Sequence, residues 1–218
     1  MAAQSDQRYI ALDVKCVATG VRHDAKSRAV CFVAVIDYGE NILLQKAVKP
    51  EAPIVSYLTP LSGVREGDLD GAESTEVVIA QVKALLGPDV ILVGQGLVKD
   101  IEWLCLEEGR DYGGIEELAD MFKTYNSRYE NYTFHSLRHE ANTLLSEGFL
   151  SMGCNPVKEA IASVRLFKLY HGNTVLLEEA KRKLASTRFE PSFAKRNNSL
   201  YEGVCMGGRR CTCGAPRF

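Results

Sequence analysis

The chain has 218 residues, of which 46% are hydrophobic, so it is long enough to bury one substantial core. Its formal net charge of −2 neither indicates nor excludes an anionic partner. No apolar run approaches the ~18 residues of a membrane span, the first residues carry no apolar leader, and the seven cysteines fit reduced thiols. We therefore expect an intracellular protein with no membrane partner.

The first predicted element is the stretch RYIALDVKCVATG, residues 8–20, which alternates as a strand and ends in a turn. It carries one carboxylate, Asp13, near its middle, on the same face as Lys15 two residues later. A buried carboxylate is costly unless it is paired or bound to a metal. This stretch alone leaves two interpretations open, a metal or phosphate site and an edge strand whose polar face meets water.

Two more strands complete an opening meander. Residues 27–37 are an apolar run, a Gly- and Asn-containing turn follows, and residues 42–48 return as a third strand that Pro50 terminates. Residues 51–71 form a long connection whose prolines and glycines predict no regular element, and such connections are more often functional than idle.

The middle of the chain places a second carboxylate at the end of a strand. A helix is predicted over residues 75–86 and a short apolar strand over residues 90–93. The turn Gly94-Gln95-Gly96 leads into a helix over residues 97–108, with Asp100 in its first turn. Open α/β sheets gather their sites at such strand ends.

Helices dominate the second half. A short helix is predicted over residues 116–125, a longer one over 133–146, one over 156–171 that begins at Pro156, and a last one over 174–183. Glu159 lies in the first turn of the helix that begins at Pro156. The layout therefore predicts a mixed α/β fold of ribonuclease-H-like type, a sheet opening with a three-stranded antiparallel meander and flanked by helices.

Several aromatic and histidine side chains also suggest roles. The polar loop at residues 126–132 carries Arg128 and Tyr129, which we expect either to stack on single-stranded nucleic acid or to bind protein or nothing. His135 and His139 lie four residues apart, and we favour the polar face of a surface helix over a metal site. Trp103 and Phe134 are expected in the core.

The C-terminal segment is basic. Residues 181–218 hold nine Lys and Arg against two acids, so this part carries +7 and the remainder −9. Such a segment indicates an anionic partner, nucleic acid first, although a solvated tail has the same composition. The residues expected to contact nucleic acid here are Lys195, Arg196, Arg209 and Arg210. Its cysteines have the spacing C-x5-C-x-C, which matches no common zinc site and has no nearby histidine.

Four collinear segments resemble one family. RYIALDVKCVATG is similar to the first motif of the DEDDh-type 3′-5′ RNA exonucleases, Rex4-like and interferon-stimulated-gene-20-like, and VKPEAPIVSYLTPLSGV is similar to their linker. ILVGQGLVKDIEWL resembles their second motif, and GCNPVKEAIASVRLFKLY their third. The resemblance implies an exonuclease domain over residues 8–172, with a disordered segment 1–7 before it, a helix over 173–184 and a basic tail over 185–218 after it.

The resemblance also implies a site of four acids and one histidine that holds two metal ions. Asp13 and Asp100 match the family, and Glu159 stands at the position of its last Asp. Lys15 stands at the position of a metal-binding Glu, and Cys154 at that of the His that acts as general base. Asp13, Asp100 and Glu159 are thus a vestigial catalytic set, and the metal ligands only if the protein is active.

Lys15 argues against metal binding. At ~4 Å and an effective dielectric constant near 20, an ammonium repels a cation by ~4 kcal/mol per unit charge, twice that for a divalent ion. We expect Lys15 to replace the metal and to pair with Asp13 and Asp100. The main hypothesis is therefore an impaired or inactive exonuclease that binds RNA or a protein partner, in the nucleus or nucleolus, with no cofactor. The alternatives are an active exonuclease using Mg²⁺ or Mn²⁺, with a base such as His135 or His139, and a pure protein-interaction module.

Overall fold

A computed structural model describes residues 8–146, 148–150, 154–207 and 211–214. The predicted disordered segment 1–7 and the predicted nucleic-acid contacts Arg209 and Arg210 lie outside these ranges. Within them, no helix combines the length and the apolar run that crossing a bilayer requires.

A six-stranded mixed sheet forms the centre of the molecule, with the strand order β4-β3-β2-β1-β5-β6. The opening meander pairs antiparallel, β1 with β2 and β2 with β3, while β5 lies parallel to β1 and β6 parallel to β5. The strands of this sheet are β1 (Arg8–Ala18), β2 (Arg28–Asp37), β3 (Ile42–Lys49), β4 (Glu73–Ser74), β5 (Val90–Gly94) and β6 (Gly114–Glu117).

Helices cover both faces of the sheet, so that β1 is buried on both sides. On one face of β1, the core below the second and third helices contains Ile10, Leu12 and Val14. On the other face, Ala11 packs against the sixth helix. The helices are α1 (Thr59–Ser62), α2 (Thr75–Leu85), α3 (Leu97–Trp103), α4 (Leu118–Phe122), α5 (Leu137–Leu144), α6 (Pro156–Tyr170), α7 (Thr174–Ser186) and α8 (Phe193–Arg196), with a 3₁₀ turn at Ala25–Ser27.

The prediction of a mixed α/β sheet that opens with an antiparallel meander is confirmed. The polar side chains before the helices explain several boundaries. The Ser74 hydroxyl caps α2, and the Asn155 side chain accepts from the Lys158 amide at the start of α6. Because Pro156 occupies the first position of α6, its missing N–H costs no hydrogen bond.

Five local features differ from the predictions. The connection 51–71 contains a short helix, α1, because Pro60 sits in its first turn. The helix after Gly96 ends at Trp103, since Cys105 adopts a left-handed backbone with φ of 49°. The helix predicted over 133–146 begins only at Leu137. The loop around 126–132 is a hairpin of β7 (Thr124–Asn126) and β8 (Asn131–Thr133), and β6 was not predicted at all.

The segment after α7 folds back onto the domain. A small hairpin of β9 (Leu200–Tyr201) and β10 (Val204–Cys205) follows α8. Val204 packs with Ala18 and Leu58, and the Cys205 amide donates to the Val21 carbonyl over 2.8 Å. This hairpin therefore lies against the end of β1, the strand that carries Asp13.

Candidate functional site

The fold brings together the five side chains that the motifs single out. Asp13 and Lys15 share a face of β1, because strand side chains alternate. Glu159 projects from the first turn of α6, and Asp100 from the first turn of α3. Cys154 comes two residues before α6, beside Glu159.

Lys15 forms the centre of the cluster. Its Nζ atom donates to Asp13 Oδ1 over 2.8 Å and to Glu159 Oε2 over 2.7 Å. The three side chains keep only 15%, 16% and 18% of their surface exposed, for Lys15, Asp13 and Glu159 respectively. Burial lowers the pKa of Lys15, but the two adjacent carboxylates outweigh it and hold this pKa well above its ordinary value. Lys15 is therefore a fixed positive charge.

The expected partner set was correct for Asp13 and wrong for Asp100. The ion pairs of the described side chains join Lys15 to Asp13 and Glu159, because Glu159 on α6 faces the same side of β1 as Lys15. Asp100 reaches the site from α3. Burial raises its pKa to about 8, and the nearby charge of Asp13 adds to this effect. It is consequently protonated for most of the time at neutral pH.

Asp13 is also shifted. Burial raises its pKa to about 6, Lys15 opposes this shift, and the Glu159 charge reinforces it. Its Oδ2 atom is buried and has no hydrogen-bond partner among the described residues. One oxygen of Asp13 is thus paired with the ammonium. The other is a buried acceptor that receives no hydrogen bond from the described residues.

Cys154 is a neutral thiol. Burial raises its pKa above the ordinary range of a cysteine, although the Lys15 charge opposes the shift. A neutral thiol is a weak proton acceptor, so this side chain does not act as a general base in the way that an imidazole would.

A cavity of about 330 Å³ opens beside Lys15. Three parts of the chain form its polar walls, namely β1, α3 and the loop that contains the 3₁₀ turn. Its apolar walls include Trp103 of α3 and Met206 of the C-terminal segment. Four cationic or titratable basic side chains line it, namely Lys15, His23, Arg28 and Lys99. Only Lys15 among them was singled out in the sequence, because the other three come from segments without a recognisable motif.

Comparison with known proteins identifies the fold and its relatives. No protein-family model matches the chain. It is 33% identical over 119 residues to RNA exonuclease 4 of Cryptococcus neoformans, a match that covers 51% of this chain and 28% of that protein. It is 32% identical over 108 residues to small RNA degrading nuclease 3 of Arabidopsis thaliana, covering 48% of this chain and 14% of that protein. A further match, RNA exonuclease 4 of Candida glabrata, is 26% identical and covers 74% of this chain and 59% of that protein.

Solved structures show the same fold. The exonuclease module of Saccharomyces cerevisiae Pan2 superposes with a TM-score of 0.67 at 20% identity, covering 85% of this chain and 32% of that one. Escherichia coli exonuclease I gives a TM-score of 0.56 at 15% identity, covering 79% of this chain and 42% of that one. The names of these relatives and the shared fold together support a DEDD-type 3′-5′ exonuclease family for this chain. The chain spans less than two thirds of the curated relatives that it matches.

The residues of this chain do not fit the two-metal centre that the resemblance implies. Lys15 Nζ donates to one oxygen of Asp13 and one of Glu159, so an ammonium stands between two carboxylates that would share a metal ion. Oxygen ligands bind Mg²⁺ only at close range, and a cation in that position would meet the ammonium directly.

The residues predicted to contact nucleic acid lie on two separate parts of the exonuclease fold. Arg128 and Tyr129 occupy the turn of the β7–β8 hairpin, where the guanidinium carbon lies 5.5 Å from the ring centre and Tyr129 is 69% exposed. Lys195 and Arg196 are exposed on α8, in the segment that folds back beside the cavity. These residues are accessible to a ligand.

Predictions for the other rings need correction. His135 is buried and not on a surface helix, and it stacks with Phe189 and with His139, at ring-centre distances of 5.1 and 5.4 Å. Their Nε2 atoms contact Thr124 Oγ1 and the Leu184 carbonyl. These contacts serve packing. Phe134 is 57% exposed and therefore not a core residue.

A buried polar pair behind the site was missed altogether. Glu140 on α5 is completely buried, and neither of its oxygens has a hydrogen-bond partner among the described residues. Burial raises its pKa to about 9, and the side chain of Gln95 lies against it. A protonated Glu140 can donate to Gln95 Oε1, which otherwise has no partner in the described residues. Glu140 lies three residues after Leu137 and four before Leu144, so helical spacing places it beside the apolar stripe of α5 and was a signal for its burial.

Proposed function

We propose that this protein binds single-stranded RNA through its exonuclease fold and does not hydrolyse RNA by the metal-dependent route of its relatives. The observation that carries the proposal is the position of Lys15 Nζ, 2.8 Å from Asp13 and 2.7 Å from Glu159. The ammonium neutralises the two carboxylates that a divalent cation would otherwise neutralise.

The loss of two catalytic functions supports this reading. Two-metal hydrolysis uses the ions to generate the attacking hydroxide and to stabilise the leaving oxygen. An ammonium can neutralise charge but cannot lower the pKa of a bound water in that way. A general base contributes a further ~10²–10⁴-fold, and the neutral thiol of Cys154 stands where the family has that base.

The cavity beside Lys15 has the chemistry of a nucleotide-binding surface. Lys99 can face phosphate oxygens, and Trp103 offers an aromatic surface to a base. The Arg28 guanidinium donates to backbone carbonyls, and the acids Asp24 and Glu102 also line the cavity. The solved Pan2 module has been captured with the RNA AACCAA, and it superposes on this chain with a TM-score of 0.68 at 21% identity, covering 87% of this chain and 34% of that one. RNA is therefore the ligand that we propose for this fold. We also propose the nucleus or nucleolus as its compartment, on the family resemblance and the basic C-terminal segment.

One titration tests binding and hydrolysis together. A 5′-labelled single-stranded RNA is mixed with the protein in Mg²⁺, Mn²⁺ or EDTA, and the gel is read for shortening and for a mobility shift. We expect a shift without shortening that is indifferent to EDTA. The shift should weaken in Lys99→Glu, which reverses a charge in the cavity. The matched control Lys49→Glu changes a lysine at the end of β3 that does not line the cavity.

Metal-dependent shortening by the unmodified protein would overturn the proposal. It would instead support the second candidate, an active exonuclease. One observation favours that candidate, since Asp13 Oδ2 is a buried acceptor that a single cation on the Asp100 side would satisfy. In that case Asp13→Ala and Asp100→Ala would both abolish shortening. The absence of both shift and shortening would favour an interaction module.

A further inference from the structure

Three cysteine thiols meet in the C-terminal segment, outside the carboxylate site. The sulfur atoms of Cys205, Cys211 and Cys213 all lie within 4.8 Å of one another. Cys205 is presented by β10, and the thiols of Cys211 and Cys213 lie beside it. The thiols are within mutual hydrogen-bonding reach.

The local backbone is shaped around this cluster. A methyl group at Gly207 would overlap the sulfur and the Cβ atom of Cys211, so only glycine lets the chain approach so closely. The Gly207 carbonyl also accepts from the Cys205 thiol over 3.4 Å. Gly207 therefore holds two of the three sulfur atoms in place, which the sequence spacing alone did not suggest.

The cluster is also anchored to the exonuclease fold. The Cys205 amide donates to the Val21 carbonyl over 2.8 Å, and Arg28 Nη2 donates to the Cys205 carbonyl over 3.2 Å. Neighbouring Met206 lines the cavity beside Lys15. Anything that fixes the three thiols also fixes one wall of that cavity.

We propose that Cys205, Cys211 and Cys213 form a binding site for a thiophilic metal ion, Zn²⁺ in the first instance. Zn–S bonds of ~2.3 Å in a tetrahedron put sulfur atoms a little under 4 Å apart, within the spread of the three thiols. Thiolate ligands select Zn²⁺ and Cu⁺ over Mg²⁺ and Mn²⁺. Each thiol gives up its proton on binding, and the described residues leave the fourth position to water or an added ligand.

The first experiment measures metal content without RNA, so it does not depend on the proposed function. The full chain is prepared under reducing conditions with Zn²⁺, dialysed against metal-free buffer, and analysed for zinc by mass spectrometry. We expect one zinc ion per chain. Replacing zinc by Co²⁺ should give the sulfur-to-metal charge-transfer absorption of a thiolate site.

Variants assign the ion to the three thiols. Cys211→Ser and Cys213→Ser each remove a ligand, and we expect zinc affinity to fall by at least about 100-fold. Gly207→Val keeps all three thiols but displaces Cys211, and it should also lose zinc. The matched control Cys105→Ser, at an exposed cysteine in the loop after α3, should retain it. Circular dichroism checks that each variant is folded.

Two results would overturn the proposal. One is a folded, reduced chain that retains no zinc and shows no charge-transfer band with Co²⁺. The other is zinc that persists unchanged in both serine variants. A disulfide found among these cysteines in the freshly reduced and dialysed protein, in place of metal, would count with the first result.

Discussion

Lys15→Met is the substitution that most directly tests whether an ammonium replaces a metal ion. Methionine keeps most of the length of the side chain, one atom short of lysine, and removes the charge and its donors. The variant leaves Asp13 and Glu159 facing each other, both more than four-fifths buried, without a counter-charge. Breaking a buried ion pair by removing one partner costs about 3–5 kcal/mol, and we expect about 3 kcal/mol because Asp13 can relieve part of the repulsion by taking up a proton.

The destabilisation should depend on pH. Burial already raises the pKa of Asp13 to about 6 in the folded protein, above its ordinary value. The folded state therefore binds more protons than the unfolded state between these values, and Asp13 disfavours folding as pH rises through this window. Without Lys15 the folded pKa rises further and the window extends upward. The loss of stability should thus be larger at about pH 7.5 than at about pH 5.

A divalent cation separates this explanation from ordinary loss of packing. With the ammonium gone, the carboxylates are open to Mn²⁺, and a ligand that binds only the folded state stabilises it by about 2.7 kcal/mol at a hundred times its Kd. Urea unfolding with Mn²⁺ and with EDTA should show this gain in Lys15→Met and not in the parent protein. The control Lys46→Met breaks the half-exposed ion pair with Glu73, which we expect to cost less than 1 kcal/mol. Equal stabilisation of the parent protein and the variant by Mn²⁺ would refute the reasoning.

Two further predictions concern the same region. Glu140→Gln should stabilise the protein by up to about 3 kcal/mol at pH 7, because the folded state keeps the Glu140 proton up to about pH 9 while the unfolded chain loses it near its ordinary pKa. Thermal unfolding from pH 5 to 9 checks this prediction. The parent protein should lose stability as pH rises, and Glu140→Gln should lose less. The exposed control Glu179→Gln should behave like the parent. The double variant Lys15→Glu with Cys154→His should shorten labelled RNA in the presence of Mn²⁺. Its rate should be at least about 100-fold above that of either single variant, because the metal ion and the base are both needed. Activity of Lys15→Glu alone at the level of the double variant would contradict the assignment of Cys154.

The sequence predicted the parts of the site that depend on local pattern. Strand alternation placed Asp13 and Lys15 on one face, and Pro156 marked where α6 begins and hence where Glu159 projects. The direct pairing of Lys15 with Glu159 was not predictable in this way. It depends on how α6 crosses the sheet, which is set by packing of Ala160 and Val164 against the strands and not by any local signal.

Features that arise from long-range folding escaped prediction for the same reason. The cavity beside Lys15 combines β1, α3 and Met206, which are far apart in the chain and meet only after the C-terminal hairpin docks. The cysteine cluster shows a second limit of prediction from sequence. Its spacing was visible, but the spacing matches no common zinc site, and only the close approach at Gly207 brings the three sulfur atoms together.

The pairing around Lys15 changes the interpretation of Asp13 and Glu159. In a metal site, carboxylates are held close together by the ion that they bind. Here the ammonium performs this structural task, so Asp13 and Glu159 are needed to stabilise Lys15 as much as Lys15 is needed to stabilise them. Removing either acid would strand a buried charge and destabilise the fold. Stability is therefore a sufficient reason for Asp13 and Glu159 to be present in this chain, whether or not the site cleaves RNA.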